Sequence, residues 1–131
     1  MPAVTGLRIV VKFINDHAPV VTVDTYTDSG EALVRVDAPI GTFIAHISAF
    51  DEDRGANGEV SCRLDSYHDD FRLVRIFGGD YKLITERAFD VVGVVVVTVL
   101  CQDHGDPPLA TSTNVNVTIT AVQVIDVTKS F

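Results

Sequence analysis

The chain has 131 residues, enough for one domain with its own core and too few for two comfortable ones. Hydrophobic residues make up 47% of it, which excludes a disordered chain, and 18 acidic residues against 10 basic ones give a formal charge of −8. That balance disfavours a nucleic-acid partner, which needs clustered Lys and Arg, and suits solubility or cation binding.

Val, Ile, Thr and aromatic residues come in short runs, separated by Gly, Pro, Asp and Asn clusters at intervals of roughly ten residues. Leu7 to Phe13 reads as a strand, yet it precedes the turn Asn15-Asp16-His17-Ala18-Pro19. It is expected to be the orphaned last strand of a preceding unit. Val20 to Asp24 and Ala32 to Val36 follow as a split first strand, and Thr42 to Phe50 as the second. Glu59 to Leu64 is the third. Phe71 to Phe77 and Tyr81 to Thr85 form a hairpin across Gly78-Gly79, a pair suited to the positive φ values of a tight turn. Val92 to Gln102 is the sixth strand and Ser112 to Val122 the last. Such spacing predicts an all-β Greek-key sandwich of seven strands.

Alternation assigns the faces. Val60, Cys62 and Leu64 point inward, as do Val95, Val97, Val99 and Cys101. On the last strand Val115, Val117 and Ile119 alternate with Asn114, Asn116 and Thr118, as in a half-exposed strand. The longest apolar run, Val94 to Cys101, is far short of the roughly 20 residues that span a bilayer. Arg8 and Lys12 interrupt the N-terminal apolar stretch, so no signal peptide is read there. The chain is expected to be an internal piece of a longer protein, with any membrane span outside it.

Three segments rich in acids and amides end strands: Asn15 to Pro19, Asp51 to Gly58, and Asp103 to Pro108. In a Greek-key sandwich all three reach the same pole. Ca²⁺ takes six to eight oxygen ligands at about 2.3–2.6 Å. Asp51 and Asp53 are two apart, so a bend is needed to aim both at one ion, and Asp103 closes the far side. The Asn15 side chain and backbone carbonyls near His17 and Asn57 complete a shell. An EF-hand is excluded, because Cys62 stands where the Asp51 loop would need its Glu. Singly, each segment is also what an ordinary turn looks like.

Taken together, Asn15-Asp16-x-Ala-Pro19, Asp51-x-Asp53-x-Gly55-x-Asn57-Gly58 and Asp103-x-Gly105-x-Pro107-Pro108-Leu109 resemble three signature motifs of cadherin repeats. Ala38-Pro39-Ile40-Gly41-Thr42 resembles the lead-in to that family's second strand. Val60-Ser61-Cys62 and Tyr81-Lys82-Leu83-Ile84-Thr85 are similar to protocadherins in particular. The resemblance covers about Phe13 to Val122. It divides the chain into a remnant of a preceding repeat (1–14), a repeat (15–122) and a degenerate linker or tail (123–131).

Cadherins bind three calcium ions between successive repeats. Carried over, Asn15, Asp51, Asp53 and Asp103, with carbonyls at His17 and Asn57, match the ion held mainly by the later repeat. Asp16 matches a ligand shared with the earlier repeat. Phe13 stands where the family has a linker Asp, which takes a ligand from the middle ion. At the opposite pole Val36-Asp37 replaces a Glu before Ala-Pro, and Asp90-Val91-Val92 replaces Asp-Arg-Glu. Ala121 to Ile125 replaces the Asp-x-Asn-Asp-Asn linker, so no ion is expected there. The resemblance implies an extracellular, calcium-dependent and homophilic adhesion module. Its expected partners are neighbouring repeats of its own chain and the same protein on another cell.

Cys62 and Cys101 lie on strands that neighbour each other in the cadherin sandwich, either bridged or packed as free thiols. Asn116-Val117-Thr118 is an N-glycosylation triplet on an outward position, either occupied or a chance match. His17, His46, His68 and His104 lack paired zinc spacing. Asp103-His104 and Ser112 invite a hydrolase reading, but no nucleophile turn or oxyanion site accompanies them. The remaining rivals are a calcium-free immunoglobulin-like spacer and a lectin-like binder.

Overall fold

Strand-long alternation of apolar and polar residues builds two facing sheets. A computed structural model describes residues 14–53 and 58–122. Among them lie eight strands: β1 (Val20–Asp24), β2 (Ala32–Arg35), β3 (Phe43–Phe50), β4 (Val60–Leu64), β5 (Phe71–Phe77), β6 (Asp80–Thr85), β7 (Gly93–Asp103) and β8 (Ala110–Thr120). One sheet has the order β1-β3-β6-β5 and the other β2-β8-β7-β4. The predicted split first strand is β1 plus β2. They are bonded into different sheets, β1 antiparallel to β3 and β2 parallel to β8. Counting them as one strand gives the expected seven.

The crossing between β1 and β2 is held locally. Asp24 accepts the N–H of Tyr26, which sits at φ 57°, and Thr27 donates its hydroxyl to the Glu31 carbonyl. Gly30, at φ 78°, then lets the chain enter the second sheet.

Between the sheets, Ala32, Val34, Val97, Val99, Cys101, Val115, Val117 and Ile119 face Ile44, Ala45, Ile47, Phe71, Tyr81 and Leu83, all buried. Strict alternation would send Ile44 outward. A register irregularity between Phe43 and Ala45 turns both Ile44 and Ala45 into the core. The hydroxyl of Tyr81 crosses between sheets to accept the Cys62 N–H at 3.1 Å. Buried Thr85 accepts the N–H groups of Gly41 and Thr42. These two buried hydroxyls thus have partners, as a low-dielectric core requires.

Cys62 and Cys101 stand opposite each other in the β4–β7 ladder and are joined by a disulfide. The bridge closes a sequence separation of 39 residues and ties edge strand β4 to the long β7–β8 pair.

Some boundaries differ from expectation. The last strand begins at Ala110 and ends at Thr120, two residues earlier than predicted at each end. Pairing of Ala110 with Gln102 sets its start immediately after the Pro107-Pro108-Leu109 turn. The sixth strand is displaced one residue the other way and includes Asp103. In the β5–β6 hairpin only Gly78 has a positive φ, at 55°. Gly79 is needed for another reason: a Cβ there would lie 2.1 Å from the Ala49 carbonyl oxygen. Leu7 to Phe13, Gly55, Asn57 and 123–131 fall outside the described residues.

Candidate metal centre

Three chain segments meet at the pole where β1 begins and β3 and β7 end. The hydroxyl of Thr111 on β8 donates to the Pro19 carbonyl, which holds the approach to β1 against the start of β8. Asn15 is thereby brought over the end of β7. Its amide nitrogen donates to Asp103 Oδ1 at 2.7 Å and to the Pro107 carbonyl at 2.8 Å.

The two strand-end aspartates use the same local device. Asp51 Oδ1 accepts the N–H of Asp53 at 2.9 Å, and Asp103 Oδ1 accepts that of Gly105 at 3.1 Å. Such side-chain turns bend the chain where the ladder stops. They supply the bend needed to aim Asp51 and Asp53 at one point. Asp103 Oδ1 receives a further N–H from Leu109 at 2.9 Å. All of its donors therefore sit on one oxygen, leaving Oδ2 free.

Asn15 Oδ1, Asp51 Oδ2 and Asp103 Oδ2 are buried and have no hydrogen-bond partner. Asp51 is 7% exposed and Asp103 1%. Each of Asp51, Asp53 and Asp103 offers an oxygen within 4.8 Å of the others. Carboxylates this close and this dry carry a large desolvation and repulsion cost unless a cation stands among them. Oxygen donors alone select a hard cation of the calcium type over zinc or copper.

Proton affinities reflect the same crowding. Burial pushes the Asp51 carboxyl up, against the pull of the Asp53 N–H, and the neighbouring Asp103 adds to the rise. Burial acts on Asp103 as well, but the Leu109 N–H, the Asn15 amide and the Gly105 N–H outweigh it and hold this carboxyl low. Asp53 is held low chiefly by its hydrogen bond to the His17 ring. His17 is raised in turn by that bond and by Asp16.

Of the seven predicted ligands, the structure brings Asn15, Asp51, Asp53 and Asp103 to one place. His17 borders it: its N–H donates to Asp53 Oδ2 at 3.1 Å, and its Nδ1 lies 2.8 Å from both Asp53 and Asp16. The Asp16 carboxylate is exposed on the rim and not part of the buried trio. Asn57 lies outside the described residues. Two participants were missed. Glu52, 3.5 Å from His17 Nε2, adds negative charge at the rim, and Leu109 locks Asp103. Glu52 was visible as part of the acidic run. Leu109 closes the third motif, but its role was not visible, because its N–H reaches Asp103 only through the fold of the 104–108 turn.

The opposite pole is different. Asp37 is paired with Arg35 at 3.0 Å, Asp90 is exposed, and Val91 and Val92 are 69% and 54% exposed. Both metal-competent groupings among the described residues, Asp51–Asp53–Asp103 and Asp16–His17–Asp53, are at the N-terminal pole. His104 bonds Ser61, which agrees with the rejection of a hydrolase reading. The distance from His104 Nε2 to Ser61 is 2.7 Å, on an exposed surface, while Ser112 of β8 pairs with Leu100 of β7.

Residues 31–120 match the family described as Cadherin domain. Human protocadherin gamma-A11 is 37% identical over 113 residues, covering 85% of this chain and 12% of that protein. Human protocadherin alpha-5 is 37% identical over 119 residues, covering 88% of this chain and 12% of that protein. The chain thus spans about an eighth of the length of these relatives. Among solved structures, extracellular cadherin domains 3–6 of protocadherin gamma B2 superpose with a TM-score of 0.75 at 32% identity, covering 83% of this chain and 25% of that one. The cis-dimer structure of protocadherin gamma B7 repeats EC3–6 gives 0.75 at 30%, covering 85% and 26%. With its two-sheet sandwich, its acidic pole and this family match, the chain belongs to the cadherin domain family and is a repeat of protocadherin type.

Proposed function

We propose that this repeat binds calcium at its N-terminal pole and so stiffens the joint to a preceding repeat in a calcium-dependent adhesion protein. The chain is an adhesion module and not an enzyme. The observation that carries the calcium reading is the trio of buried oxygens without partners, on Asn15, Asp51 and Asp103. Asn15, Asp51, Asp53 and Asp103 hold the ion, the carbonyls of His17 and Asn57 complete its shell, and Asp16 reaches toward the preceding repeat. The ion cancels repulsion among Asp51, Asp53 and Asp103 and pins the 15–17 segment to the ends of β3 and β7. A linker pinned at both strand ends bends less. The opposite pole, with valines where oxygen ligands would stand, takes no ion and makes a softer joint.

In this reading the repeat lies in the ectodomain of a plasma-membrane protein. Its neighbours are further repeats of the same chain, and its adhesive partner is the same protein on another cell. Support comes from the multi-repeat protocadherin ectodomains it resembles, one of them solved as a cis dimer.

A thermal melt with and without calcium tests the proposal. Binding to the folded state at tenfold the dissociation constant contributes about 1.4 kcal/mol. For a domain of this size that raises Tm by roughly 4–7 °C. An unchanged melt in millimolar calcium would identify the chain as a calcium-free spacer instead.

A further inference from the structure

The outer face of the β2-β8-β7-β4 sheet holds a feature that the calcium pole does not use. On β8, Val115 and Val117 are buried while Asn116 between them is exposed. Thr118, two residues on, shares that outer face and is half-buried. The other asparagine on this face, Asn114, accepts a hydrogen bond from the Thr98 hydroxyl at 3.0 Å and does not begin an Asn-x-Thr triplet.

Asn116 borders a polar hollow lined by Thr25, Ser29, Glu31 and Asn114 on one side, and on the other the surface is apolar. Val96 stands directly across from it on β7, and Val94 stands across from Thr118. Leu33 of β2 pairs with Thr118 from the other side. All three are exposed. Three strands thus present an apolar patch beside an acceptor triplet.

We infer that Asn116 carries an N-linked oligosaccharide that covers Val94, Val96 and Leu33 and closes this sheet face to protein partners. The inference rests on the extracellular reading above, since the modification occurs only on chains entering the secretory pathway. The donor is a lipid-diphosphate-linked oligosaccharide. A bond forms between Asn116 Nδ2 and C1 of the first sugar, the C1–oxygen bond to the diphosphate breaks, and the lipid diphosphate leaves while one amide proton is lost to the transferase. The Thr118 hydroxyl is the second half of the recognition element. Transfer precedes folding, so a place inside a paired strand is no barrier, provided the finished strand turns the residue outward. β8 does so: a register slip of one residue would drive the sugar into the core in place of Val115 or Val117.

The test is the mass of the peptide spanning β8, before and after release by peptide N-glycosidase. It is measured on the protein from its own cells and on this chain expressed behind a secretory leader. Glycan release is expected in both, with conversion of the Asn116 amide to acid. Asn116→Gln and Thr118→Ala remove the modification, whereas Thr118→Ser keeps it. Chain retained inside the cell reports equally, because transfer comes first, so a poorly folding variant remains readable. An unmodified peptide in either source overturns the inference. A calcium melt on the same material separates the two readings: a glycan without calcium stabilisation sinks only the calcium site, and the reverse sinks only the glycan.

Discussion

At the N-terminal pole, β3 and β7 end in Asp51, Asp53 and Asp103, and Asn15 folds over them. At the other pole, β2 ends near Val36 and Asp37, and β7 is preceded by Asp90, Val91 and Val92. The same two sheets build both ends. The difference lies in what the strand ends carry: oxygen donors gathered without partners at one, exposed valines and an acid paired to Arg35 at the other. A shared scaffold therefore does not entail a shared ion site, and each pole has to be read from its own side chains.

The largest expected effect falls on both poles alike. Replacing Cys62 and Cys101 by Ala removes a cross-link over 39 residues, worth about 3–4 kcal/mol by loop-closure entropy. Tm should drop by a similar amount with and without calcium, as read by paired melts. A selective loss of the calcium response would mean that the β4–β7 staple itself shapes the ion site.

Asp103→Ala comes next and should separate the poles. It strands the half-buried N–H groups of Leu109 and Gly105, at about 1–3 kcal/mol, and it abolishes the calcium-dependent rise in Tm. Asp103→Asn should restore part of the chelator-state stability without restoring the calcium response. Titration calorimetry that shows full binding by either variant would remove Asp103 from the ligand set.

Acidity sharpens the comparison further. Asp51 has a raised folded-state pKa, so its ionised form is penalised above that value; the penalty begins to shrink as pH falls through it and is gone below the unfolded carboxylate range. Asp53 and Asp103 are lowered; their contribution is present above the unfolded carboxylate range and is lost as pH falls through their lowered values. As pH falls, Asp51 takes up its proton before Asp53 and Asp103 do, and that proton competes with calcium. The gap between melts with and without calcium should therefore begin to shrink above the ordinary carboxylate range, before Asp53 and Asp103 titrate. A gap that shrinks only where those two titrate would show that Asp51 is not a ligand.

The smallest effect is the control for the other pole. Asp90→Ala should leave the calcium response and the chelator-state Tm nearly unchanged, because Val91 and Val92 offer no companion oxygens. A loss as large as that of Asp103→Ala would refute the asymmetry.

Much of this was legible along the chain because alternation is local. The inward sets Val60-Cys62-Leu64 and Val97-Val99-Cys101 follow from a side-chain period of two, and the structure bears them out. The clustering of Asn15 with Asp51 and Asp103 was also foreseeable, since strands of a Greek-key sandwich return to the same pole. Where pairing register or close approach decides, local pattern was insufficient. It could not turn Ile44 and Ala45 inward together, nor place the last strand two residues earlier, nor show that Gly79 is required by the Ala49 carbonyl.

The amino-acid sequence by itself determined the sandwich, the acidic pole and the valine-rich pole, because these rest on periodicity and residue type. Only the tertiary structure decided that Cys62 faces Cys101 closely enough to bridge, and that three particular oxygens are left dry and without partners. Both depend on which backbone groups distant segments bring together. The Asn15 amide and the Leu109 N–H claim one oxygen of Asp103 and leave the other for an ion, an arrangement written 88 and 6 residues away from it along the chain.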